Sequence, residues 1–143
     1  MKFKYKFFDE LTVRELYEII RAREDIFLLE QKIVCQDLDR IDYDSLHCYI
    51  EDSGRIMAYL RCYKTENGDI KLGRVLTAEH GRGLGARLMR EALPVIKEIF
   101  NTDTLIIHSQ KHAQGFYEKF GFRATSDEFL EEGVLHIAMR LEP

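Results

Sequence analysis

Three glycines, Gly81, Gly83 and Gly85, lie between a β-branched run that ends at Thr77 and an apolar pattern of helical period. A strand that enters a helix through such a turn leaves backbone N–H groups without partners at the positive end of the helix dipole. Glycine also allows a ligand to approach the main chain closely. The sequence therefore predicts a phosphate-binding corner at this position.

Two other ligand classes use glycine-rich corners. The nucleoside triphosphate loop needs a Lys-Ser/Thr pair, and none follows Gly85. The dinucleotide pattern G-x-G-x-x-A fits Gly81, Gly83 and Ala86, but it normally opens a β-α-β unit and has an acid at the end of the next strand. Here three antiparallel strands are expected before the corner, and the next strand ends in HSQ at positions 108–110. A dinucleotide site and a purely structural turn stay open as alternatives.

The corner also resembles the pyrophosphate loop of the GNAT superfamily of acyl-CoA-dependent N-acetyltransferases, which reads Gln/Arg-x-x-Gly-x-Gly/Ala between a strand and a helix. Gly83 and Gly85 match its two glycines, whereas His80 stands where the family has Gln or Arg. This departure requires backbone contacts or Arg82 to replace the missing long side chain.

A second GNAT motif follows at the correct spacing. The family has an Asn-x-x-Ala-x-x-x-Tyr helix followed by Gly-Phe, and residues 108–122 resemble it through Ala113, Tyr117, Gly121 and Phe122. Gln110 replaces the common Asn. Two motifs in the correct order are far more specific than either motif alone.

The chain resembles one branch of that superfamily, the ElaA type, more closely. The resemblance rests on segments that run from the first helix to the last strand: Phe27–Gln31, Gln36–Asp39, Gly73–Val75 and Gly133–Ile137. It therefore covers nearly the whole chain.

The resemblance implies that acetyl-CoA is the cosubstrate and that no metal is needed. Its pyrophosphate would bind the glycine corner, and its pantetheine arm would pair with free backbone groups of the strand that ends at Thr77. The cofactor-binding residues implied are Val75, Leu76, Thr77, Arg82, Gly83, Leu84, Gly85, Ala86, Ala113 and Phe116.

Tyr117 is the general acid that the resemblance implies. Attack of an amine on the thioester leaves a CoA thiolate, which a tyrosine can protonate. The reference pKa values, about 8.5 for a thiol and about 10 for tyrosine, make this transfer uphill by only about 2 kcal/mol. Without the resemblance, an aromatic residue beside Phe116 would be interpreted as core.

Glu30 is the first candidate for the general base, because the branch-specific segment places it at the end of the first helix, where GNAT acceptors commonly lie. A solvated helix-end carboxylate is the alternative. His108 is interpreted as a core histidine near the expected thioester. Four aspartates, Asp37, Asp39, Asp42 and Asp44, form an acidic loop that indicates either a cationic acceptor or a solvated surface.

The expected fold is α/β (α+β), a GNAT fold with a central mixed, mostly antiparallel sheet of about six to seven strands, flanked by helices and splayed between the fourth and fifth strands. A capping box at Thr12 and Glu15 predicts the start of the first helix. The expected order is β-α-β-β-β-α-β-α-β-β, with helices near 84–100 and 111–120. Pro94 is expected to kink the first of these. The expected domain organisation is a single GNAT domain over 1–143.

Composition limits the partners. A net charge of −4 argues against nonspecific nucleic-acid binding, and no apolar run is long enough to span a bilayer. An odd count of three cysteines argues against a disulfide framework, which favours a cytoplasmic location. GNATs are often dimers, so the resemblance also suggests a homodimer.

Together these features predict an N-acetyltransferase that moves an acetyl group from acetyl-CoA to a primary amine of a small molecule or peptide. The alternative is a non-catalytic module that binds acyl-CoA as a sensor or structural ligand. Intact Tyr117 favours the enzyme, and His80 in the signature position leaves the sensor open.

Overall fold

The computed structural model describes all 143 residues and contains one mixed sheet of eight strands. The strands are β1 (Lys2–Phe7), β2 (Leu46–Asp52), β3 (Arg55–Lys64), β4 (Ile70–Thr77), β5 (Leu105–Gln110), β6 (Arg123–Ala124), β7 (Phe129–Glu131) and β8 (Val134–Leu141). They lie in the order β1-β2-β3-β4-β5-β8-β6, with β7 paired to β8 beside this path. Only β4 and β5 pair in parallel. This is the expected mixed, mostly antiparallel sheet.

Three α-helices accompany the sheet: α1 (Val13–Arg23), α2 (Leu84–Ile99) and α3 (Gln114–Glu118). The predicted capping box starts α1, because Thr12 Oγ1 accepts from the Glu15 N–H at 3.0 Å and the Glu15 carboxylate accepts from the Thr12 N–H at 2.9 Å. A π-helical turn over Glu24–Glu30 continues α1. π-Helical turns are rare in proteins, and those that occur are often found at functional sites. None of the helices combines the length and the apolar character needed to cross a membrane.

Strands β4 and β5 pair only at one end. Their register joins Lys71 to Ile106 and Leu72 to Ile107, whereas β4 runs on to Thr77 and β5 to Gln110. Beyond Leu72 the two strands diverge, so their facing edges have no strand partner. The predicted splay between the fourth and fifth strands is confirmed, and we call this opening the wedge.

Each face of the sheet carries its own apolar cluster. The larger cluster lies on the α2 side and includes Ile107 and Tyr117, and the smaller one lies under α1 and includes Ile19. Because side chains alternate along a strand, His108 faces the α1 side, opposite to Ile107. The wedge therefore has the larger apolar cluster on its α2 side and His108 on its α1 side.

An ion-pair network connects the loop before β2 with α1 and β3. Arg23 of α1 is 1% exposed, and its guanidinium donates to Asp37 at 3.0 Å and to Asp42 at 2.6 Å. Arg61 of β3, 3% exposed, donates to the same Asp42 oxygen at 3.1 Å. Burial acts to raise the pKa of Asp42, but its bonds to the two arginines outweigh burial and lower it. Asp42 therefore carries its charge inside the protein.

The same network reaches β4. Arg61 donates to both carboxylate oxygens of Asp39, at 2.8 and 2.7 Å, and Arg74 of β4 donates to Asp37 at 2.8 Å and to Asp39 at 3.3 Å. Against the effect of burial, these arginines lower the pKa of Asp39 to about 2. A segment without sequence periodicity is thus fixed to a helix and two strands by paired charges.

Two details differ from the sequence expectation. Strand β7 is additional, so the sheet has eight strands instead of about six to seven. A two-residue turn joins it to β8, with φ values of +51° at Glu132 and +74° at Gly133 that suit a tight hairpin. The helix expected near 111–120 is a 3-10 turn over Lys111–Ala113 followed by the short α3. Pro94 lies inside α2 and does not end it.

Asp42→Asn is expected to reduce the free energy of unfolding by about 3–5 kcal/mol, because removing one partner leaves buried guanidinium charge uncompensated. Denaturant unfolding at pH 7 measures this loss. The matched control is Asp44→Asn, an exposed aspartate two residues away, which should change stability by no more than about 0.5 kcal/mol. Equal stability of the two variants would contradict a structural role for the network.

Candidate active site

Strand β4 carries a bulge where it borders the wedge. Tyr59 of β3 pairs with Leu76, but Arg61 pairs with Gly73, so β4 has one extra residue over this stretch. The bulge reverses the alternation of side chains. Leu72, before the bulge, belongs to the larger apolar cluster, whereas Leu76, four residues later, belongs to the smaller one.

Arg74 forms the bulge in a left-handed conformation with φ of +52°. This region is uncommon for residues other than glycine and costs about 1–2 kcal/mol. The Arg74 side chain is held by Asp37, which accepts at 2.8 Å through its carboxylate and at 3.0 Å through its backbone carbonyl. The ion-pair network therefore stabilises the strained backbone at the edge of the wedge.

The glycine-rich corner starts α2. Gly81 and Gly83 have φ values of +78° and +69°, and Gly83 is the N-cap residue. No side chain caps this 16-residue helix, so its first N–H groups are free to bind a ligand. A Cβ added at Gly85 would lie 3.2 Å from the Phe116 ring and 3.6 Å from the Thr77 methyl group. Glycine at this position therefore allows α2, β4 and α3 to pack closely.

Tyr117 lies on α3 in the larger apolar cluster and is 6% exposed. The rings of Phe116 and Phe122 contact it at centroid distances of 5.1 and 6.0 Å and fix its orientation. Burial raises the pKa of Tyr117, and no charged or hydrogen-bonding neighbour contributes to the shift. The hydroxyl is therefore protonated at neutral pH.

A cavity of about 220 Å³ opens at the wedge. Its walls come from the bulge of β4, from β5, from α3, from the π-helical turn and from the β7–β8 hairpin. Of the residues predicted to bind the cofactor or act in catalysis, Val75, Ala113 and Tyr117 line this cavity. Glu30, Leu76, Thr77, Phe116 and the glycine corner lie outside its lining.

A polar cluster lines the cavity on the α1 side of the sheet. His108 Nδ1 lies 3.0 Å from the Glu131 carboxylate and 3.2 Å from Lys71 Nζ. His136 Nε2 lies 3.5 Å from the same carboxylate. The hydrogen bond with His108 lowers the pKa of Glu131, and burial lowers the pKa of Lys71. His108 is thus half-buried at the cavity, and the expectation of a core histidine is wrong.

Sequence reasoning did not find Glu131 or Lys71. Each contacts His108 from a different strand, 23 and 37 residues away in the chain. The only local signal was the segment Gly133–Ile137, which marks the branch and begins two residues after Glu131.

Glu30 and His80 form an exposed pair at the other end of the site. His80 Nε2 lies 3.0 Å from the Glu30 carboxylate, whose side chain is 46% exposed. Arg82, predicted to contact the pyrophosphate, donates to Glu79 at 2.6 Å. The side chains of His80 and Arg82, at the glycine corner, are therefore both paired with carboxylates.

The acidic loop does not present the surface that its composition indicated. Asp37, Asp39 and Asp42 each accept hydrogen bonds from arginine side chains of other elements. Only Asp44 is exposed without an ion pair. The expectation of a solvated acidic surface is wrong for these three residues, and attraction of a cationic acceptor stays a prediction.

A family model described as an acetyltransferase (GNAT) domain matches residues 28–143. The chain therefore belongs to the GNAT acetyltransferase family, in which acyl groups are transferred from acyl-CoA. The splayed sheet and the helix that starts at the glycine corner agree with this family's fold.

Its relatives are of the ElaA type. A UPF0039 protein of Schizosaccharomyces pombe is 36% identical over 99% of this chain and 97% of that protein. Escherichia coli ElaA is 31% identical over 93% of this chain and 91% of ElaA, and its crystal structure matches with a TM-score of 0.91 over 99% of both chains. An acyl-CoA N-acyltransferase from Pseudomonas aeruginosa matches with a TM-score of 0.92 at 32% identity, over 99% of both chains. The predicted resemblance is confirmed.

Two substitutions of Arg74 separate the backbone strain from the ion pairs. Both Arg74→Gly and Arg74→Ala remove the bonds to Asp37 and Asp39, but only glycine adopts the left-handed conformation without strain. The alanine variant is therefore expected to be less stable than the glycine variant by about 1 kcal/mol, measured by denaturant unfolding. If the alanine variant were equally stable or more stable, the bulge would not be strained.

Proposed function

We propose that this protein is an N-acetyltransferase that moves an acetyl group from acetyl-CoA directly to a primary amine of a small molecule or peptide. One observation carries the proposal: the wedge between β4 and β5 opens into a cavity that Tyr117 lines, beside an uncapped helix N-terminus. Membership of the GNAT family supports it.

Acetyl-CoA fits this arrangement in two parts. The pyrophosphate would accept hydrogen bonds from backbone N–H groups of Arg82 to Ala86, where the dipole of α2 is positive. The pantetheine arm would pair with the unpartnered edge of β4 from Val75 through Leu76 to Thr77. Ala113 and Phe116 would contact the arm from the α3 side. No metal takes part in this proposal.

Tyr117 would donate the proton that the CoA sulfur gains as the thioester breaks. Its raised pKa keeps the proton on the hydroxyl until a strong base forms beside it. The same apolar surroundings destabilise a thiolate and so increase its affinity for a proton. The two effects of burial offset each other, so a proton transfer of moderate cost remains the expectation.

The general base is the second requirement. A lysine-like amine with a pKa of about 10.4 is neutral in only about 1 molecule in 2,000 at pH 7, which is a penalty of about 4.6 kcal/mol. Glu30 stays a candidate from the sequence, and its hydrogen bond to His80 is the contact that would orient it. A base must also reach the amine, which favours a group that lines the cavity, and Glu30 does not line it.

The alternative function is a non-catalytic module that binds acyl-CoA. The specific observation in its favour is at the glycine corner, where His80 replaces the family's Gln or Arg and Arg82 is paired with Glu79. Weak binding of the pyrophosphate would suit a sensor that binds acyl-CoA and releases it unchanged.

Free-thiol release from acetyl-CoA, measured across a panel of small-molecule and peptide amines, separates the two functions. An enzyme releases thiol with at least one amine and forms the acetylated product, which mass spectrometry identifies. Binding of acetyl-CoA by calorimetry, without thiol release on any amine, would favour the sensor.

Tyr117→Phe is expected to bind acetyl-CoA normally and to lower kcat by about 100-fold or more, because general-acid catalysis contributes at least that much. Calorimetry measures binding and thiol release measures turnover. Tyr17→Phe, which removes a hydroxyl from an exposed residue of α1, is the control. Near-normal turnover in Tyr117→Phe would show that Tyr117 is not the general acid.

A further inference from the structure

We infer that His108 is the general base of the proposed acetyl transfer and that Glu131 is a positioning residue that holds its imidazole ring. The inference rests on the proposed function and adds to it the group that accepts the proton of the amine.

The position of His108 is the first argument. It follows Ile107, the last residue of β5 that pairs with β4, so it lies where the wedge begins. Its side chain faces the α1 side of the sheet, whereas Tyr117 approaches from the α2 side. Both line the same cavity. A thioester held in the wedge would therefore have the acid on one side and the base on the other.

Glu131 orients the ring of His108. A carboxylate only accepts hydrogen bonds, so its partner nitrogen must donate. The 3.0 Å contact therefore places the proton of the imidazole on Nδ1. Nε2 then carries the lone pair that accepts a proton. The ring of Phe129 packs edge-on against His108 at 5.3 Å and restricts its rotation.

Lys71 competes for the same nitrogen. Its Nζ lies 3.2 Å from His108 Nδ1, but Nδ1 carries either a proton or a lone pair, so only one of the two contacts is a full hydrogen bond at a time. When Lys71 donates, the proton of the ring moves to Nε2 and the base is lost. The contact of Nδ1 with Glu131 is the shorter of the two, 3.0 Å against 3.2 Å, which favours the proton on Nδ1.

The charges around His108 come from three strands. Lys71 faces it from β4, Glu131 from β7, and His136 of β8 lies 3.5 Å from the Glu131 carboxylate. The positive charges of Arg61 and Arg74 act on Lys71 and help to lower its pKa. Glu131 is therefore the one carboxylate in contact with His108, and its loss would destabilise the imidazolium.

The acceptor reacts as the neutral amine, after its ammonium form has lost a proton to solvent. The amine nitrogen then forms a bond to the thioester carbonyl carbon, and the second proton that it loses moves to His108 Nε2. The C–S bond breaks, the sulfur keeps the electron pair, and Tyr117 supplies its proton to give free CoA thiol. His108 then releases its proton to solvent, and Tyr117 regains one. The net reaction converts amine and acetyl-CoA to amide and CoA.

The test uses His108→Asn, because an asparagine nitrogen near the position of Nδ1 retains the donor to Glu131 while the base is removed. We expect kcat to fall by about 100-fold or more, with the KM for acetyl-CoA within about twofold of the wild-type value. The acidic limb of the pH profile of kcat/KM should disappear, and added imidazole should restore part of the turnover. His108→Gln, checked for folding by circular dichroism, provides a second variant.

Glu131→Gln tests the positioning role. We expect a smaller loss than in His108→Asn and an acidic limb that moves to lower pH, because the imidazolium loses its counter-charge. The double variant should lose no more than His108→Asn alone, since the two residues act as a unit. Glu128→Gln is the matched control. It removes an exposed carboxylate of the same region, 3.5 Å from Lys111, and should leave turnover and the pH profile unchanged.

Each outcome bears on the assignment. Wild-type turnover and pH profile in His108→Asn overturn His108 as base while the proposed function stands. A loss in Glu30→Gln with full activity in His108→Asn returns the base to Glu30. Absence of thiol release from the wild-type protein with every amine overturns the proposed function and this base together.

Discussion

The shape of the candidate active site depends on ion pairs between the irregular loop before β2 and three regular elements. Asp37, Asp39 and Asp42 pair with arginines from α1, β3 and β4. These pairs offset part of the cost of the three buried charges of the network, those of Arg23, Arg61 and Asp42. The same bonds hold Arg74 in its left-handed conformation. The bulge in β4, and with it the shape of the wedge, follows from this network.

The sequence predicted those parts of the candidate site that are formed by residues close together in the chain. The glycine corner and the capping box each depend on residues within one or two turns of each other, so spacing identifies them. The Tyr117 motif is equally local, but only its resemblance to a family pattern distinguishes it from core. Strand β7 was missed because three residues give no measurable period.

The failures concern residues that meet only in the folded chain. The aspartates of the loop suggested an exposed acidic surface, because their arginine partners lie 14 to 37 residues away. The contact between His108 and Glu131 is equally nonlocal. A histidine at a strand end is usually a packing residue, and only the divergence of β4 and β5 turns this one toward a cavity. A single sequence does not encode that divergence in any local pattern.

The cavity has two halves of different origin in the chain. The half proposed for acetyl-CoA is lined by the β4 bulge, β5 and the segment that ends in α3. The opposite half combines the π-helical turn near the N-terminus with the β7–β8 hairpin near the C-terminus. Mutations in the π-helical turn would change the shape and charge of the half proposed for the amine without altering the half proposed for acetyl-CoA. The hairpin also carries Glu131, whose proposed role is to hold His108, so an exchanged hairpin must keep this carboxylate. The turn is therefore the natural segment to exchange when the acceptor of such a protein is redesigned.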